Sequence, residues 1–166
     1  MQTILGRRSI RKFTGEPIPD EDVKKLLEAA MAAPSACNQQ PWHFIVVKDK
    51  KTHGRIMEIQ PYTRMLEKAA LAILVCADPE LQTCPGFWVQ DVSAATENIL
   101  LAVEAMGYGA TWCGLYPNDD RVWKIKELFD MPKKAIPLNV IAIGVPDEEK
   151  PPSNRYNEER IHHEKW

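Results

Sequence analysis

The chain has 166 residues, a length that predicts one domain, residues 1–166, with a substantial core. Its hydrophobic content of 45%, charged content of 27% and formal charge of −2 are ordinary for a globular protein and argue against a broad nucleic-acid-binding face. The longest apolar run, Ala69 to Ala77, is much shorter than the roughly 20 residues of a membrane helix. The N-terminus also lacks the apolar core of a signal peptide, so we expect a cytoplasmic protein.

The N-terminal segment concentrates positive charge in six positions, at Arg7, Arg8, Arg11 and Lys12. Guanidinium groups bind phosphate oxygens through several donors at once, and Ser9 adds a hydroxyl to the same turn. The pattern indicates a site for a small phosphorylated ligand. A solvated basic turn is the alternative interpretation.

A helix is predicted next, with Asp20 as its N-cap and Pro34 beyond its end. Its buried stripe follows the spacing i, i+3, i+4, i+7 and i+8, at Val23, Leu26, Leu27, Ala30 and Met31. The segment from Pro34 to Trp42 is polar, uncharged and stiffened by two prolines. Its donors and acceptors suit the edge of a heteroaromatic ligand, although an ordinary connection would look similar.

Trp42 to Lys48 is apolar on both faces and predicts a central strand, with His43 as a hydrogen-bonded core residue. Short helices are predicted at Lys51 to Gln60 and Tyr62 to Lys68. Ala70 to Ala77 predicts a second buried strand, which Asp78 and Pro79 end.

Asp91 to Met106 predicts the clearest helix, which Gly107 ends. This helix is apolar nearly all round, and we therefore expect it either in the centre of the core or at a subunit interface. Thr111 to Gly114 predicts a short strand whose terminal glycine lets a ligand approach the backbone closely.

Asp119 or Asp120 is expected to cap a further helix, and Pro137 to Val145 predicts a last buried strand. From Pro146 onward the chain is too polar to bury itself, so we expect this tail to lie along a surface.

The four cysteines, at 37, 76, 84 and 113, show no paired spacing of the kind that metal sites use. We expect Cys76 in the core, the others as free thiols, no metal site and no structural disulfide.

Strands connected by helices, with helix predominating, predict an α+β or α/β sandwich. Four segments in chain order then resemble the signatures of the FMN-dependent nitroreductase family. They are residues 7–13 (RRSIRKF), 34–42 (PSACNQQPW), 107–114 (GYGATWCG) and 152–155 (PSNR). The resemblance spans nearly the whole chain, and it strengthens the interpretation of the basic segment as a phosphate site.

The resemblance implies an α+β fold with a mixed, mainly antiparallel sheet flanked by helices. It also implies a homodimer formed through the long helix, FMN at the subunit interface, and a tail, residues 146–166, packed on the partner subunit.

Cofactor contacts follow from the same resemblance. The FMN phosphate and ribityl chain are assigned to Arg7, Arg8, Ser9, Arg11 and Arg155. The partner subunit is expected to contribute Pro34, Ser35, Ala36 and Asn38. The backbone of Cys113 and Gly114 is expected near the reactive flavin nitrogen.

The implied activity is hydride transfer from NADH or NADPH to FMN, followed by reduction of nitroaromatics, quinones or similar small acceptors in a ping-pong cycle. Arg11 is the first candidate, and Arg64 the second, for a cation that stabilises charge on the reduced ring. No catalytic residue is assigned, although Tyr62, Tyr116 and Cys113 are candidate proton donors.

The region from Ala77 to Asp91 leaves little room for the substrate lid of dehalogenating relatives, which argues against a deiodinase-like activity. Two alternatives stay open. One is another flavin-dependent dehydrogenase on the same fold. The other is a non-catalytic FMN-binding redox sensor that uses Cys37 as its switch.

Overall fold

The computed structural model describes residues 1–166 and contains five α-helices and four β-strands. In chain order they are α1 (Gln2–Gly6), α2 (Asp20–Met31), β1 (Trp42–Val47), α3 (Lys50–Ile59), β2 (Leu71–Ala77), α4 (Trp88–Ala105), β3 (Gly109–Gly114), α5 (Asp119–Leu128) and β4 (Ile136–Gly144). Short 3-10 helices lie at Ala36–Asn38, Pro61–Glu67, Pro79–Leu81 and Glu158–Arg160. None of the helices combines the length and apolar character needed to cross a membrane.

The four strands form one sheet in the order β1-β2-β4-β3, and all three strand pairs are antiparallel. The one parallel contact is an isolated bridge between Ser9 and Ala110. Helices cover the sheet, so the predicted α+β class with a mainly antiparallel sheet is confirmed.

Strand β2 shows how the sequence builds two layers around this sheet. All seven of its residues are buried, and alternate side chains point to opposite faces. Leu71, Ile73 and Val75 pack with α2 and α4 in one core. Ala72, Leu74 and Cys76 pack with α3, α5 and the 3-10 helix Pro61–Glu67 in the other. Each fully buried Leu or Ile contributes about 1.5–3 kcal/mol, so both faces hold β2 at the centre.

The prediction that the strand from Trp42 is central was wrong. Strand β1 pairs only with β2 and therefore forms one edge of the sheet. His43 is exposed there instead of buried in the core, and Val46 is 37% exposed. An apolar sequence run does not reveal how many neighbours a strand has, because that number depends on the topology of the sheet.

Two predicted helix caps are also shifted. Helix α2 begins at Asp20 itself, and the carboxylate of Asp20 pairs with Lys48 instead of capping the helix. Helix α5 is capped by Asn118, whose Oδ1 accepts a hydrogen bond of 2.9 Å from the backbone N–H of Arg121.

Helix α4 has two different faces. Val92, Ile99 and Val103 are buried against the sheet, whereas Leu101 and Ala102 stay partly exposed. Within one chain, α4 is therefore buried on one side only.

The structure contains a disulfide between Cys37 and Cys84, which corrects the expectation of free thiols at these positions. Their Cα atoms lie 6.2 Å apart although they are separated by 47 positions in sequence. Hydrogen bonds hold the two loops together. The side chain of Gln39 accepts from the backbone N–H of Cys84 at 3.0 Å and donates to Asp91 at 2.6 Å. Packing of α2 against α4 brings these loops together, and no local sequence pattern encodes that contact.

Candidate functional site

A cavity of about 600 Å³ lies beside β3. Its walls come from β3, from the segment that follows it, from the 3-10 helix Pro61–Glu67, from the beginning of α5 and from Arg11. Tyr62 is 72% exposed and Tyr116 is 40% exposed, so aromatic side chains surround an open mouth. A cavity of this volume is in the range that holds a small organic ligand.

The segment that carries Arg11 is fixed to the sheet by its backbone. The N–H of Ile10 donates to the carbonyl of Ala110 at 2.9 Å, and the hydroxyl of Thr111 donates to the carbonyl of Ile10 at 2.7 Å. Ile10 and Phe13 are buried, whereas Arg11 between them is exposed and points to the cavity. The apolar neighbours therefore anchor the segment and leave the guanidinium group available.

Two glycines make this close approach possible. A Cβ atom at Gly109 would lie 2.8 Å from Cγ2 of Ile10, and one at Gly144 would lie 2.8 Å from Cδ1 of Phe13. Both distances are too short for any side chain, so the N-terminal segment crosses β3 and β4 only because glycine occupies these positions.

The first residues of the C-terminal tail hold the same segment from outside. The carboxylate of Glu148 accepts hydrogen bonds from the backbone N–H groups of Arg11 at 2.6 Å and Lys12 at 3.2 Å. The hydrogen bond from Arg11 is the largest of several causes that lower the pKa of Glu148 below its usual value. The backbone N–H of Asp147 donates to the carbonyl of Lys12 at 2.9 Å.

Strand β3 presents backbone groups toward the cavity. It is an edge strand, and the carbonyls of Ala110 and Gly114 both accept hydrogen bonds from outside the sheet. Because successive residues of an antiparallel strand alternate their backbone direction, the N–H groups of Trp112 and Gly114 also face away from β4. They are donors at the wall of the cavity.

Gln60 is a cavity residue that sequence reasoning missed. It is 1% exposed, and its side-chain amide donates to the carbonyl of Gly114. Its Oε1 also accepts a bond of 3.4 Å from the N–H of Tyr62 at the beginning of the 3-10 helix. The one signal in the sequence is a polar residue before Pro61, which is typical of a helix start but does not indicate a ligand site.

Cys113 is held as a thiol. Its burial raises its pKa to about 11, although the nearby positive charge of Arg11 acts in the opposite direction. The thiol lies 3.3 Å from the carbonyl oxygen of Tyr62 and donates to it. At neutral pH this group is protonated and engaged, so it is neither a nucleophile nor a strong acid.

The structure brings three of the predicted cofactor residues together around the cavity: Arg11, Cys113 and Gly114. Three other predicted residues precede Arg11 in the chain but do not line the cavity: Arg7, Arg8 and Ser9. Arg7 pairs with Glu97 at 3.5 Å, Arg8 donates to the carbonyl of Pro151, and the carbonyl of Ser9 accepts from Lys150.

The predicted partner contributions lie elsewhere in the chain. Pro34, Ser35, Ala36 and Asn38 follow α2, where the N–H of Ala36 donates to Asp91 at 2.8 Å, and none of them lines the cavity of its own chain. Arg155 lies in the exposed tail and is also absent from the cavity wall. Cys37, proposed above as a redox switch, is bonded to Cys84.

The cavity suits a planar heteroaromatic ring. Met65 and Leu115 supply apolar wall, the backbone N–H of Gly114 supplies a neutral donor, and Arg11 supplies a permanent cation. No carboxylate lies within ion-pair distance of the Arg11 guanidinium group, so its charge is available to a ligand. This donor set fits the electron-poor ring of a flavin, whose edge carries acceptors.

Comparison with known proteins decides the family. The model of the Nitroreductase family matches residues 4–84 and 65–145. The chain belongs to the nitroreductase family. A family member from Methanothermobacter thermautotrophicus, provisionally named NADH dehydrogenase/NAD(P)H nitroreductase, is 46% identical over 166 residues, which cover 100% of this chain and 87% of the relative.

Solved structures of the nitroreductase family have the same fold. A crystal structure of a protein from Parabacteroides distasonis, which carries the same provisional name as the Methanothermobacter relative, is 42% identical to this chain. The two superpose with a TM-score of 0.95, and the match covers 99% of this chain and 97% of the other. An FMN-dependent nitroreductase from Clostridium difficile is 30% identical with a TM-score of 0.91, and the match covers 100% of both chains.

Proposed function

We propose that this protein is an NAD(P)H-dependent FMN oxidoreductase that reduces nitroaromatics, quinones or similar small acceptors in a ping-pong cycle. The observation that carries the proposal is the cavity beside β3, where an unpaired guanidinium group and outward backbone N–H groups line an open, partly apolar space. The FMN-dependent relative from Clostridium difficile, which matches over the whole chain, supports the same cofactor.

FMN, when bound, supplies the hydride chemistry, and the protein supplies position and charge. Arg11 places a permanent positive charge at the cavity wall, and this charge favours a ring that has gained electrons. The N–H of Gly114 is a fixed donor on the outer edge of β3, and Gln60 holds the carbonyl of the same residue. Cys113 stays a thiol and contributes packing.

The remaining cofactor contacts are part of the proposal. Arg7, Arg8 and Ser9 lie in the segment that ends at the cavity, where they would extend a phosphate site away from the ring. A second copy of the chain is required to bring four further residues to the cofactor, namely Pro34, Ser35, Ala36 and Asn38. We assign the partly exposed face of α4 as the surface through which the two copies form this homodimer. The tail beyond Pro152, which includes Arg155, is exposed and is proposed to pack on the partner subunit.

The acceptor preference follows from the open mouth of the cavity. The segment between β2 and α4 contains only the single 3-10 turn Pro79–Leu81, and no residue of this segment lines the cavity. Without a cover, the cavity selects acceptors weakly. We therefore expect several small, flat acceptors to be reduced at comparable rates.

Anaerobic titration tests the function. Purified protein that is loaded with FMN should lose its flavin absorbance when NADH or NADPH is added and regain it when an acceptor follows. Arg11→Ala should weaken FMN binding by about 1.5–3 kcal/mol, the scale of a charge-assisted hydrogen bond, which is roughly 10- to 150-fold in Kd.

Arg55→Ala is the matched control because Arg55 is an exposed arginine on α3 outside the cavity wall. It should bind FMN like the wild type. Protein that binds no FMN, or whose bound FMN neither donor bleaches, would contradict the proposed function. Equal FMN affinities of the two arginine variants would contradict the role of Arg11.

A further inference from the structure

A second cavity, of about 310 Å³, adjoins the first and shares Arg11 and Met65 with it. Four cations line this second cavity, Arg11, Lys12, Arg64 and Lys68, together with the acids Glu67 and Asp147. Its wall therefore carries a formal charge of +2, four cations less two acids, in a chain whose net charge is −2. Positive charge is therefore concentrated in the space directly beside the proposed flavin cavity.

The cations of the second cavity are not neutralised by the protein. None of the four side chains lies within 4.0 Å of a carboxylate, although two carboxylates line the same space. All four side chains are exposed and accessible. Their backbones are nevertheless fixed, because Lys12 is held by Asp147 and Glu148, and Lys68 ends the 3-10 helix with a hydrogen bond to Met65.

We propose that this second cavity binds the phosphate groups of the dinucleotide electron donor while its nicotinamide ring shares the first cavity with the flavin. The inference rests on the proposed function, since the nicotinamide must reach the flavin to transfer hydride. The pyrophosphate of NADH or NADPH carries two negative charges and is attached to the nicotinamide through one ribose. Lysine and arginine side chains are common phosphate ligands, and the wall at Arg11 joins the two cavities.

The test compares donors with and without phosphate. Lys68→Gln and the double variant Lys12→Gln/Lys68→Gln are assayed with NADH, NADPH and N-benzyl-1,4-dihydronicotinamide, a hydride donor that has no phosphate. Because the lysines are exposed, the loss of one lysine in Lys68→Gln should lower kcat/KM for the dinucleotides by about fivefold at low ionic strength. The loss of both lysines in the double variant should lower it by about 25-fold, the product of two independent fivefold effects.

Turnover with the phosphate-free donor and the Kd for FMN should stay unchanged in both variants. Lys51→Gln is the matched control, since Lys51 is an exposed lysine outside both cavities. Equal losses with NADH and NADPH would assign the site to the pyrophosphate, and a larger loss with NADPH would assign it to the additional 2′-phosphate.

Three results would overturn the inference: unchanged dinucleotide kinetics in the double variant, a parallel loss with the phosphate-free donor, or weaker FMN binding in place of weaker donor binding. Wild-type protein that oxidises none of the three donors would instead contradict the proposed function, so the two failures are distinguishable.

Discussion

Removal of the disulfide between Cys37 and Cys84 should destabilise the protein strongly. The bond closes a loop across 47 positions. A crosslink over this length restricts the unfolded chain, and the loop-entropy relation gives about 4 kcal/mol at 25 °C. At about 2–4 °C per kcal/mol for a chain of this size, the double variant Cys37→Ser/Cys84→Ser should melt about 8–16 °C below the oxidised wild type.

Thermal unfolding with and without excess dithiothreitol checks this value. The reductant should lower the Tm of the wild type to that of the double variant and should leave the double variant unchanged. Thiol titration of the denatured, oxidised wild type should detect only the free Cys76 and Cys113, and titration after reduction should detect all four cysteines.

Four titratable thiols in protein purified in air, or a wild-type Tm that does not change when the reductant is added, would refute the assignment of a stabilising disulfide. The same experiment bears on location, because a reducing cytoplasm keeps most cysteines as thiols. Thiol trapping in intact cells would show which state the protein has there.

Two further predictions concern the stability of the fold. Gly144→Ala should lower the free energy of unfolding, measured in urea, by about 1–3 kcal/mol, because the new Cβ would lie 2.8 Å from the buried ring of Phe13. Gly54→Ala is the control: Gly54 is helical and has open space around it, so this change should raise the free energy of unfolding by about 0.5–1 kcal/mol. Equal effects of the two substitutions would contradict the close packing at Gly144. The hydrogen bond from Lys134 lowers the pKa of Asp78 in the folded protein. This pair therefore stabilises the protein fully above the carboxyl pKa of the unfolded chain, and the stabilisation is lost as the pH falls through the lower pKa of the folded protein. Urea unfolding at neutral and strongly acidic pH should show a smaller loss in Asp78→Asn than in the wild type, and identical pH dependence would contradict this assignment.

Much of the architecture followed from periodicity in the sequence. The spacing of Val23, Leu26 and Ala30 predicted α2 and its buried face, because local side-chain spacing determines which residues share a face. Met31, at the end of the predicted stripe, is instead 54% exposed. The continuous apolar run from Ala70 to Ala77 predicted β2 as a buried strand. The glycine at 107, which has φ of 77°, marks the end of α4 as predicted. The four signature segments also predicted the family to which the chain belongs.

The lining of the candidate cavity was predicted in part. The sequence identified Arg11 and Gly114 separately, but only folding shows that both line one cavity, because the N-terminal segment crosses β3 through the gap that Gly109 leaves. Gln60 was missed because nothing near it in sequence distinguishes a buried amide that bonds to Gly114 from an ordinary helix cap.

The sequence by itself determined helices α2 to α5, the four strands, the basic N-terminal segment and the family signatures, since each depends on residues close together in the chain. Only the tertiary structure decided the edge position of β1, the pairing of Cys37 with Cys84 and the cationic cavity beside Arg11. These features join residues from distant segments, and their contacts arise from the packing of helices and strands, which local spacing does not specify.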